Sequence, residues 1–565
     1  MKNRFKSLLV LCLAAVVAVS VIGCNGKDSG NDDTSSKKAS KPKAQAPSYI
    51  NMESALPIVK KDTEDITLKI MIKNGPYYQD MKDFENDIYF INKYAERTNV
   101  KVEWQTVASE SFDDTLTNSL ASGKLPDAIM KGGISNSVQR NYGEQGFFLD
   151  LMENDMLKTY APNYWALAQK YPETLSSSTM PGGSIYSLGL VRNSVGSLIN
   201  SKMYFNKDWL GAVGKNVPTT SQEFYDVLSA FKSKYPNSLG FYTSSTHMEY
   251  STLGMFGLGN RGTLNGFIDM DEKTGKTRYF PMSDQYREWV EYMSKLYKDG
   301  LLSKDYIGFS EAKLGAFTEN NTVGAFAYTN LSSLTDKTQN KMAYLNGSLT
   351  GPKGYSDWYG TTSVGHTGSF IITSACKYPE VALRWADYFY SDEGALFFYY
   401  GDVGVTAVKQ SDGTYEFSDS VLKNFRSGKN SYDGSAVYVS LYAYGNTPSK
   451  TQVPFNSADD NRGISLKSAY GLIGDRNIAW PAFTFTKKEE RSIDDIKRDI
   501  DTYVKGERDK WIQGLNQLND TTWSRFIRKI QQMDVDKVIE TYDAALQRAY
   551  DNGFKEGKYN ADMFK

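Results

Sequence analysis

The stretch Ile66-Thr67-Leu68-Lys69-Ile70-Met71-Ile72 decides how the folded part of the chain is built. Isoleucine or leucine stands at every second position, which is the period of a β-strand with one face in a core. Asn74-Gly75-Pro76 follows and ends the strand, because glycine and proline interrupt a regular ladder of hydrogen bonds. We take this strand as the first of the fold.

The next segments alternate between helix and strand. Apolar spacing predicts a helix over residues 84–95 and a strand over 100–104, followed by a helix over 112–120 and a strand over 126–130. Such alternation with short links predicts a parallel sheet with right-handed crossovers. Ligands gather at the carboxyl ends of the strands in these sheets. Here those ends comprise residues 74–78, 106–109 and 131–133.

The N-terminal residues predict export and a lipid anchor. A basic start precedes an apolar run over residues 8–22, which is shorter than the ~20 residues that a membrane-spanning helix needs. Val21-Ile22-Gly23-Cys24 closes the run and resembles a bacterial lipobox. The resemblance implies a signal peptide over residues 1–23 and a lipid on the Cys24 thiol, holding the mature chain at the extracellular face of the cell membrane. The alternative is an ordinary secretory signal with an incidental cysteine.

Composition excludes several classes of protein. The chain has 65 basic and 66 acidic residues, so it offers no net positive charge for nucleic acid. Behind the signal and Cys24, Cys376 is the remaining cysteine, so neither an intramolecular disulfide nor a cysteine-cluster metal site can form in the mature body. A chain of 565 residues exceeds what one core usually supports, which predicts at least two lobes.

No sequence motif indicates a catalytic site. His247 and His366 are the two histidines, and neither stands at a metal-ligand spacing. No G-x-S-x-G elbow and no glycine-rich phosphate loop occurs. We therefore expect no catalytic residue and no cofactor. A pair of facing carboxylates, as glycoside hydrolysis requires, does not show in a sequence, so a tethered hydrolase or polysaccharide lyase stays open as an alternative.

One acidic stretch invites a calcium interpretation. Asp269-Met270-Asp271-Glu272-Lys273-Thr274-Gly275 carries the residue types of an EF-hand loop. That loop needs glycine at its sixth position and an acidic residue at its twelfth, whereas here Gly275 is seventh and Phe280 twelfth. Apolar residues on both sides favour a hairpin turn instead, and we predict no metal site.

Several short motifs together resemble the family 1 extracellular solute-binding lipoproteins, the binding subunits of ABC importers for sugars and oligosaccharides. Their order and spacing extend over nearly all of the mature chain. The motifs are Gly123-Lys124-Leu125-Pro126-Asp127, Ile185-Tyr186-Ser187-Leu188, Met203-Tyr204-Phe205-Asn206-Lys207-Asp208-Trp209, Pro218-Thr219-Thr220, Leu296-Tyr297-Lys298-Asp299-Gly300-Leu301, Pro379-Glu380-Val381-Ala382 and Ser391-Asp392-Glu393-Gly394. The resemblance implies an α/β, two-lobed periplasmic-binding-protein-like fold of type II. Each lobe is expected to be a mostly parallel sheet flanked by helices, with a helical C-terminal extension.

Composition and the same resemblance together predict how the chain divides. A polar, apolar-poor segment over residues 24–60 is expected to be a disordered tether. The N-terminal lobe is expected over residues 61–195 and 365–402, and the C-terminal lobe over residues 196–364 and 403–565. Glycine-rich crossings between the lobes are expected near residues 191–196, 364–369 and 401–406.

Aromatic and polar side chains outside the helical patterns are the candidate ligand contacts. A sugar ring has an apolar face of C–H groups and a rim of hydroxyls, so flat amphipathic side chains stack on it while polar groups bond its rim. The candidates are Asn74, Tyr77, Tyr78, Asn206, Trp209, Arg261, Trp358, Tyr359, His366, Arg476, Asn477 and Trp480. The alternative for Trp209 is packing at a helix start, and for the polar residues an exposed loop position.

The function expected from the resemblance is capture of an oligosaccharide in a cleft between the lobes and delivery to the membrane subunits of an ABC permease. A monomer is expected, and closure is a shift between open and closed populations that the ligand drives by touching both lobes. An accessory protein that feeds a sensor kinase is a further alternative, and a peptide ligand is a variant of the main hypothesis.

Overall fold

Two mixed sheets, two separate β-hairpins, the helices around them and a helical C-terminal extension make up the described chain. The computed structural model describes residues 46–74, 89–192, 198–199, 201–329, 331, 334–345, 347–357, 360–362, 364–411, 415–419, 442–443 and 477–558. The strands are β1 (Ile66–Asn74), β2 (Val100–Ala108), β3 (Ala128–Met130), β4 (Leu188–Arg192), β5 (Lys202–Asn206), β6 (Phe241–Tyr242), β7 (Ile268–Asp271), β8 (Lys276–Tyr279), β9 (Ala325–Tyr328), β10 (Met342–Tyr344), β11 (Val364–Ile372), β12 (Ala407–Lys409), β13 (Tyr415–Phe417) and β14 (Tyr442–Ala443).

The helices surround these sheets. They are α1 (Tyr89–Thr98), α2 (Phe112–Ser122), α3 (Asn136–Glu144), α4 (Met156–Tyr160), α5 (Pro162–Lys170), α6 (Glu173–Ser176), α7 (Lys207–Val213), α8 (Ser221–Lys234), α9 (Ser245–Thr252), α10 (Asp284–Lys298), α11 (Glu311–Glu319), α12 (Asp336–Gln339), α13 (Pro379–Asp387), α14 (Asp392–Tyr400), α15 (Lys487–Ile512), α16 (Asp520–Gln531) and α17 (Val535–Asp551). None of these described helices has the length and apolar character that crossing a membrane requires.

The first lobe forms around a sheet with the order β14-β4-β11-β3-β1-β2. Strand β1 pairs in parallel with both β2 and β3, while β11 is antiparallel to its neighbours β3 and β4. Ile66, Leu68 and Ile70 are buried on one face of β1, and Met71 is buried in a second cluster on the other face. The predicted first strand and its parallel partners are confirmed.

The second lobe forms around a smaller sheet with the order β10-β5-β9-β6. Strand β5 is antiparallel to both β9 and β10, and the β6–β9 pair is parallel. The expectation of a mostly parallel sheet is therefore wrong for this lobe. Strand β5 arrives from the first lobe rather than through a βαβ unit, so the right-handed crossover rule does not fix its direction.

The C-terminal extension shares a core with the second lobe. Trp511, Trp523, Phe526 and Ile530 pack in one cluster with Trp289 of α10. Helix α15 begins at a capping box, in which the side chain of Thr486 accepts from the N–H of Glu489 and the Glu489 carboxylate accepts from the N–H of Thr486. The predicted helical extension is confirmed.

Two of the predicted boundaries need correction. Residues 46–60 belong to the first lobe rather than to a disordered tether, because Ile50, Ile58 and Val59 are buried in its core. The N–H of Ile58 also donates to the carbonyl of Thr98 at 2.9 Å. The polar composition that predicts the tether ends near residue 48, and the apolar residues after it repay the entropy of ordering.

The segment after α14 also differs from its prediction. Residues 401–406 form a turn of the first lobe rather than a crossing, because the β12–β13 hairpin returns to pack on Tyr400. Strand β14 then pairs with β4, so it too belongs to the first sheet. The assignment of all residues after 402 to the second lobe is therefore wrong for these pieces.

Candidate functional site

One edge of the first sheet gathers the ends of five strands. Strands β1, β2, β3, β4 and β14 share a direction, so their carboxyl ends lie at the same edge, and antiparallel β11 begins there. Asn74 ends β1 and Arg192 ends β4 at this edge, while Val364 begins β11. The chain leaves the first lobe after Arg192 and returns to it at Val364, so the lobes connect at this edge. We call it the connecting edge of the first sheet.

The chain enters the second sheet at the start of β5, and we call this edge the connecting edge of the second sheet. Strand β5 begins at Lys202, which pairs with Tyr328 at the end of β9. Strand β6 runs parallel to β9 and ends at Tyr242 on the same edge. The Lys202 ammonium donates to the carbonyl of Thr329 at 3.0 Å, and burial lowers its pKa to about 8. The cleft between lobes is expected along these two edges.

Helix α9 brings His247 to this edge of the second sheet. Its ring centroid lies 5.1 Å from that of Tyr328 and 6.2 Å from that of Tyr250. Burial lowers the pKa of His247 to about 4, with Glu311 acting in the opposite direction. Within the described part of the chain its Nδ1 atom has no hydrogen-bond partner. The sequence analysis does not select His247 among the candidate ligand contacts.

A second group of polar residues unites three of the sequence-predicted candidates. Arg261 donates from Nη1 to Glu272 at 2.8 Å, and Asn477 donates to the same carboxylate oxygen at 3.4 Å. Trp480 donates from Nε1 to Glu556 at 3.0 Å, and its backbone N–H donates to the carbonyl of Arg261. Glu556 lies 3.7 Å from Nε of Arg261. We call these five residues the Arg261 cluster.

The Arg261 cluster lies beside the segment that leads back into β11. Gly262 has φ +87°, and a Cβ atom there would lie 2.9 Å from the carbonyl oxygen of Gly360. Thr263 donates to that carbonyl, and Thr361 donates to the carbonyl of Leu198 in the β4–β5 connection. A side chain in place of the Gly262 hydrogen would therefore push the segment around Gly360 away from the Arg261 cluster.

Asn206 and Trp209 have structural roles. Asn206 is fully buried, and its Oδ1 atom accepts from the N–H groups of Asp208 and Trp209 at the start of α7. Trp209 is 1% exposed and stacks on Tyr235 at 4.0 Å between ring centroids. Both side chains also contact Asn321. Their inclusion among the ligand contacts needs correction. Packing at a helix start accounts for Trp209, and Asn206 is the buried N-cap of α7 rather than a ligand contact or an exposed loop residue.

The remaining candidates stay predictions. Tyr77, Tyr78, Trp358, Tyr359 and Arg476 lie outside the described residues, as does Cys24. Asn74 and His366 are described by their backbones, both of which lie in first-lobe strands near the connecting edge. His366 pairs with Leu190 between two irregularities in the β11–β4 ladder.

The acidic stretch forms a hairpin, as predicted. Strands β7 and β8 are antiparallel, and the Asp271 carboxylate accepts from the N–H of Lys273 in the turn. Asp269 is fully buried and pairs with Arg278 at 2.6 Å. Across the described ranges, no group of three acidic, histidine or cysteine side chains could hold a metal ion.

A polar groove of about 360 Å³ lies where the two lobes touch, between α3 and the start of α15. Arg140 of α3 is 3% exposed and donates to the carbonyl of Phe485 and to the carboxylate of Glu490. Thr484 donates to the carbonyl of Thr179 at 2.8 Å beside it. The groove is lined by Arg140, Asn141, Tyr142, Gln145, Lys487, Glu490, Arg491 and Asp494.

Comparison with known families identifies the class of protein. Residues 78–396 match the family model described as bacterial extracellular solute-binding protein. This match covers more than half of the chain, and the chain belongs to that family. It is therefore a solute-binding protein and not an enzyme.

Individual relatives extend the likeness over most of the chain. It is 25% identical over 543 residues to the fructooligosaccharide ABC transporter substrate-binding protein FusA of Streptococcus pneumoniae, covering 91% of this chain and 94% of FusA. It is 23% identical to the polygalacturonan/rhamnogalacturonan-binding protein YtcQ of Bacillus subtilis, covering 83% and 88%. The solved HMO-binding protein of Bifidobacterium longum infantis superposes with a TM-score of 0.71 at 17% identity, covering 87% and 99%. The two-lobed fold class is confirmed.

Proposed function

We propose that this protein captures an oligosaccharide in the cleft between its lobes and delivers it to the membrane subunits of an ABC importer. The observation that carries the proposal is the alignment with FusA, a fructooligosaccharide-binding protein, along 91% of the chain. The alignment covers 91% of this chain and 94% of FusA, so nearly all of the binding body is comparable. The chain supplies no catalytic step, because a carrier needs only to bind and release.

The ligand lies between the two sheet edges and contacts both lobes. Asn74, Tyr77, Tyr78 and His366 contribute from the first lobe, where β1 ends and β11 begins. Arg261 and Asn477 contribute from the second lobe, together with Trp358, Tyr359 and Arg476. The ring of Trp480 is fully buried in the core of that lobe and supports the Arg261 cluster from behind rather than contacting the ligand. A ligand that bonds to both groups stabilises the closed arrangement, because only that arrangement satisfies all of these contacts at once.

The charge of the Arg261 cluster favours a neutral glycan over an acidic one. Arg261 carries one positive charge, while Glu272 and Glu556 carry two negative charges within reach of it. A uronate placed here adds a like charge to a cluster that is already net negative, which is unfavourable in a partly desolvated site. Sugar hydroxyls can instead donate to the Glu272 carboxylate, whose side chain is 55% exposed.

A thermal-shift screen tests the proposal. The panel contains kestose and longer fructooligosaccharides, neutral host and plant glycan fragments, and oligogalacturonides as the acidic comparison. We expect at least one neutral fragment to raise the melting temperature, since a ligand at 100 times its Kd stabilises the folded state by about 2.7 kcal/mol. Absence of a shift with every fragment contradicts the proposal. Each fragment is then recovered, and we expect it to be returned unchanged, because a carrier only binds and releases its ligand.

We further propose that the mature chain is a monomer held at the extracellular face of the cell membrane by a lipid on Cys24. The lipobox-like sequence before Cys24 supports the anchor, and a lipid with two acyl chains gives stable membrane attachment. Mass spectrometry of the native protein tests the modification directly. Deleting the gene and measuring uptake of the bound glycan separates a transport role, in which uptake is lost, from the sensor-kinase alternative, in which uptake persists.

A further inference from the structure

Helix α9 has two faces with different neighbours. Ser245, Glu249 and Thr252 are spaced four and three residues apart, so they lie along one face of the helix. Thr252 accepts from Nε1 of Trp289 in α10 at 2.8 Å, and Glu249 pairs with Arg508 in the C-terminal extension. His247 and Tyr250 project from a different part of the helix surface, where the His247 ring lies beside Tyr328.

Arg508 is a buried polar link between α9 and the C-terminal extension. It is 3% exposed, donates from Nη2 to the hydroxyl of Ser245 at 2.7 Å, and pairs through Nη1 with Glu249. Its Nε atom donates to Asp509 at 2.9 Å, and Asp509 in turn accepts from the hydroxyl of Tyr306 at 3.0 Å. Burial raises the pKa of Glu249, and the neighbouring positive charge of Arg508 acts in the opposite direction.

The planar shape of the Arg508 guanidinium group suits it to hold α9 in place. One planar group bonds side chains on consecutive turns of α9, which fixes both the rotation and the tilt of the helix. The helix has eight residues, and so short a helix has little stability of its own. Its orientation therefore depends on what holds its inner face.

We propose that Arg508 is a positioning residue for ligand binding. The C-terminal extension holds α9 from behind through Arg508, so that His247 and Tyr250 are fixed at the connecting edge of the second sheet and contact the bound glycan there. This assignment rests on the proposed function for its ligand, and it gives the extension a part in binding besides its part in the core.

The first test needs no ligand. Arg508→Met keeps the length of the side chain but removes its donors, and Ile500→Ala weakens the buried face of the same helix eight residues before Arg508. The imidazole signal of His247 is followed by NMR against pH and assigned from the spectrum of His247→Gln. We expect the titration of His247 to move up towards the ordinary histidine value in Arg508→Met, because a loosened α9 admits water to the ring.

The second test measures affinity on the fragments that give a thermal shift with the wild-type chain. We expect Arg508→Met to weaken binding about tenfold, Arg508→Lys to restore part of the loss, and Ile500→Ala to leave the Kd within about twofold. All measurements are made where each variant is fully folded by circular dichroism. Arg498→Met, at an exposed position of α15, controls for the loss of charge.

The outcomes separate this inference from the proposed function. Equal His247 titrations in Arg508→Met and Ile500→Ala, or equal Kd values for these two variants, overturn the positioning role. A wild-type chain that binds no glycan overturns the proposed function and with it the ligand-contact part of the inference. The NMR comparison then still decides whether Arg508 holds α9.

Discussion

Replacing Arg140 by methionine tests the contact that joins the two lobes beside the polar groove. The guanidinium group is buried and bonds to the carbonyl of Phe485 and the carboxylate of Glu490, both of which belong to the second lobe. Methionine keeps most of the length and apolar volume of the arginine stem, so the substitution removes mainly the charge and the donors.

The expected loss of stability follows from the groups that Arg140→Met leaves without their partner. A hydrogen bond to a charged group contributes about 1.5–3 kcal/mol, and breaking a buried ion pair by removing one partner costs about 3–5 kcal/mol. Glu490 is 18% exposed, so water replaces part of its lost interaction. We therefore expect Arg140→Met to lower the free energy of unfolding by about 2–4 kcal/mol.

Urea unfolding followed by tryptophan fluorescence measures this loss. Arg491→Met is the matched control, because Arg491 lines the same groove at an exposed position of α15, so its loss should stay within about 0.5 kcal/mol. A double-mutant cycle with Glu490→Gln should give a coupling of at least about 1 kcal/mol. Equal losses for Arg140→Met and Arg491→Met, or a coupling below about 0.5 kcal/mol, would refute the reasoning.

Three further predictions concern other parts of the chain. Trp385→Ala should cost about 3–5 kcal/mol in urea unfolding, because Trp385 is 2% exposed and packs on Tyr94; an unchanged midpoint would contradict this. The folded-state pKa of His247, about 4, lies below the ordinary value, so stability should fall by about 2 kcal/mol as the pH drops from 6.5 to 4, and His247→Gln should remove this fall. Cys24→Ser should move the protein from the membrane fraction to the medium, whereas retention would exclude a lipid anchor.

Sequence periodicity predicts the first lobe well, because the burial of one face of each element requires apolar residues at regular spacing there. Strand β1 has one face in a large core, so its apolar residues must alternate, and the helices around it repeat apolar residues at helical spacing for the same reason. The second sheet is harder to predict because its strands span only two to five residues. Such short segments carry little periodicity, and their directions follow from where the chain crosses between lobes.

The correction at Asn206 and Trp209 shows that a local sequence signal does not distinguish a ligand contact from a structural role. Asn206 follows a strand and precedes a helix, which suits both a ligand contact at a strand end and an N-cap. The two uses differ in whether the amide oxygen faces the next N–H groups or the solvent. Asn321, more than a hundred residues later, also bonds to both side chains and completes their burial.

The Arg261 cluster was found from the sequence only in part, for a related reason. Arg261, Asn477 and Trp480 are identifiable as polar and aromatic residues in loops, but their shared partners are not. Glu272 lies in the adjacent hairpin, while Glu556 lies close to the end of the described chain. Because a buried cation requires compensation, the arginine implies that carboxylates exist nearby, although it does not say which ones.

His247 marks the limit of sequence reasoning at this site. The serine before α9 is a recognisable N-cap, so the helix itself has a local signal. Whether its histidine faces solvent or a sheet edge depends on Tyr328, which arrives from a strand some eighty residues later, and on Arg508, which arrives later still. The position of the His247 ring therefore depends on elements on both sides of α9, and a substitution at Arg508 should change the surroundings of that ring.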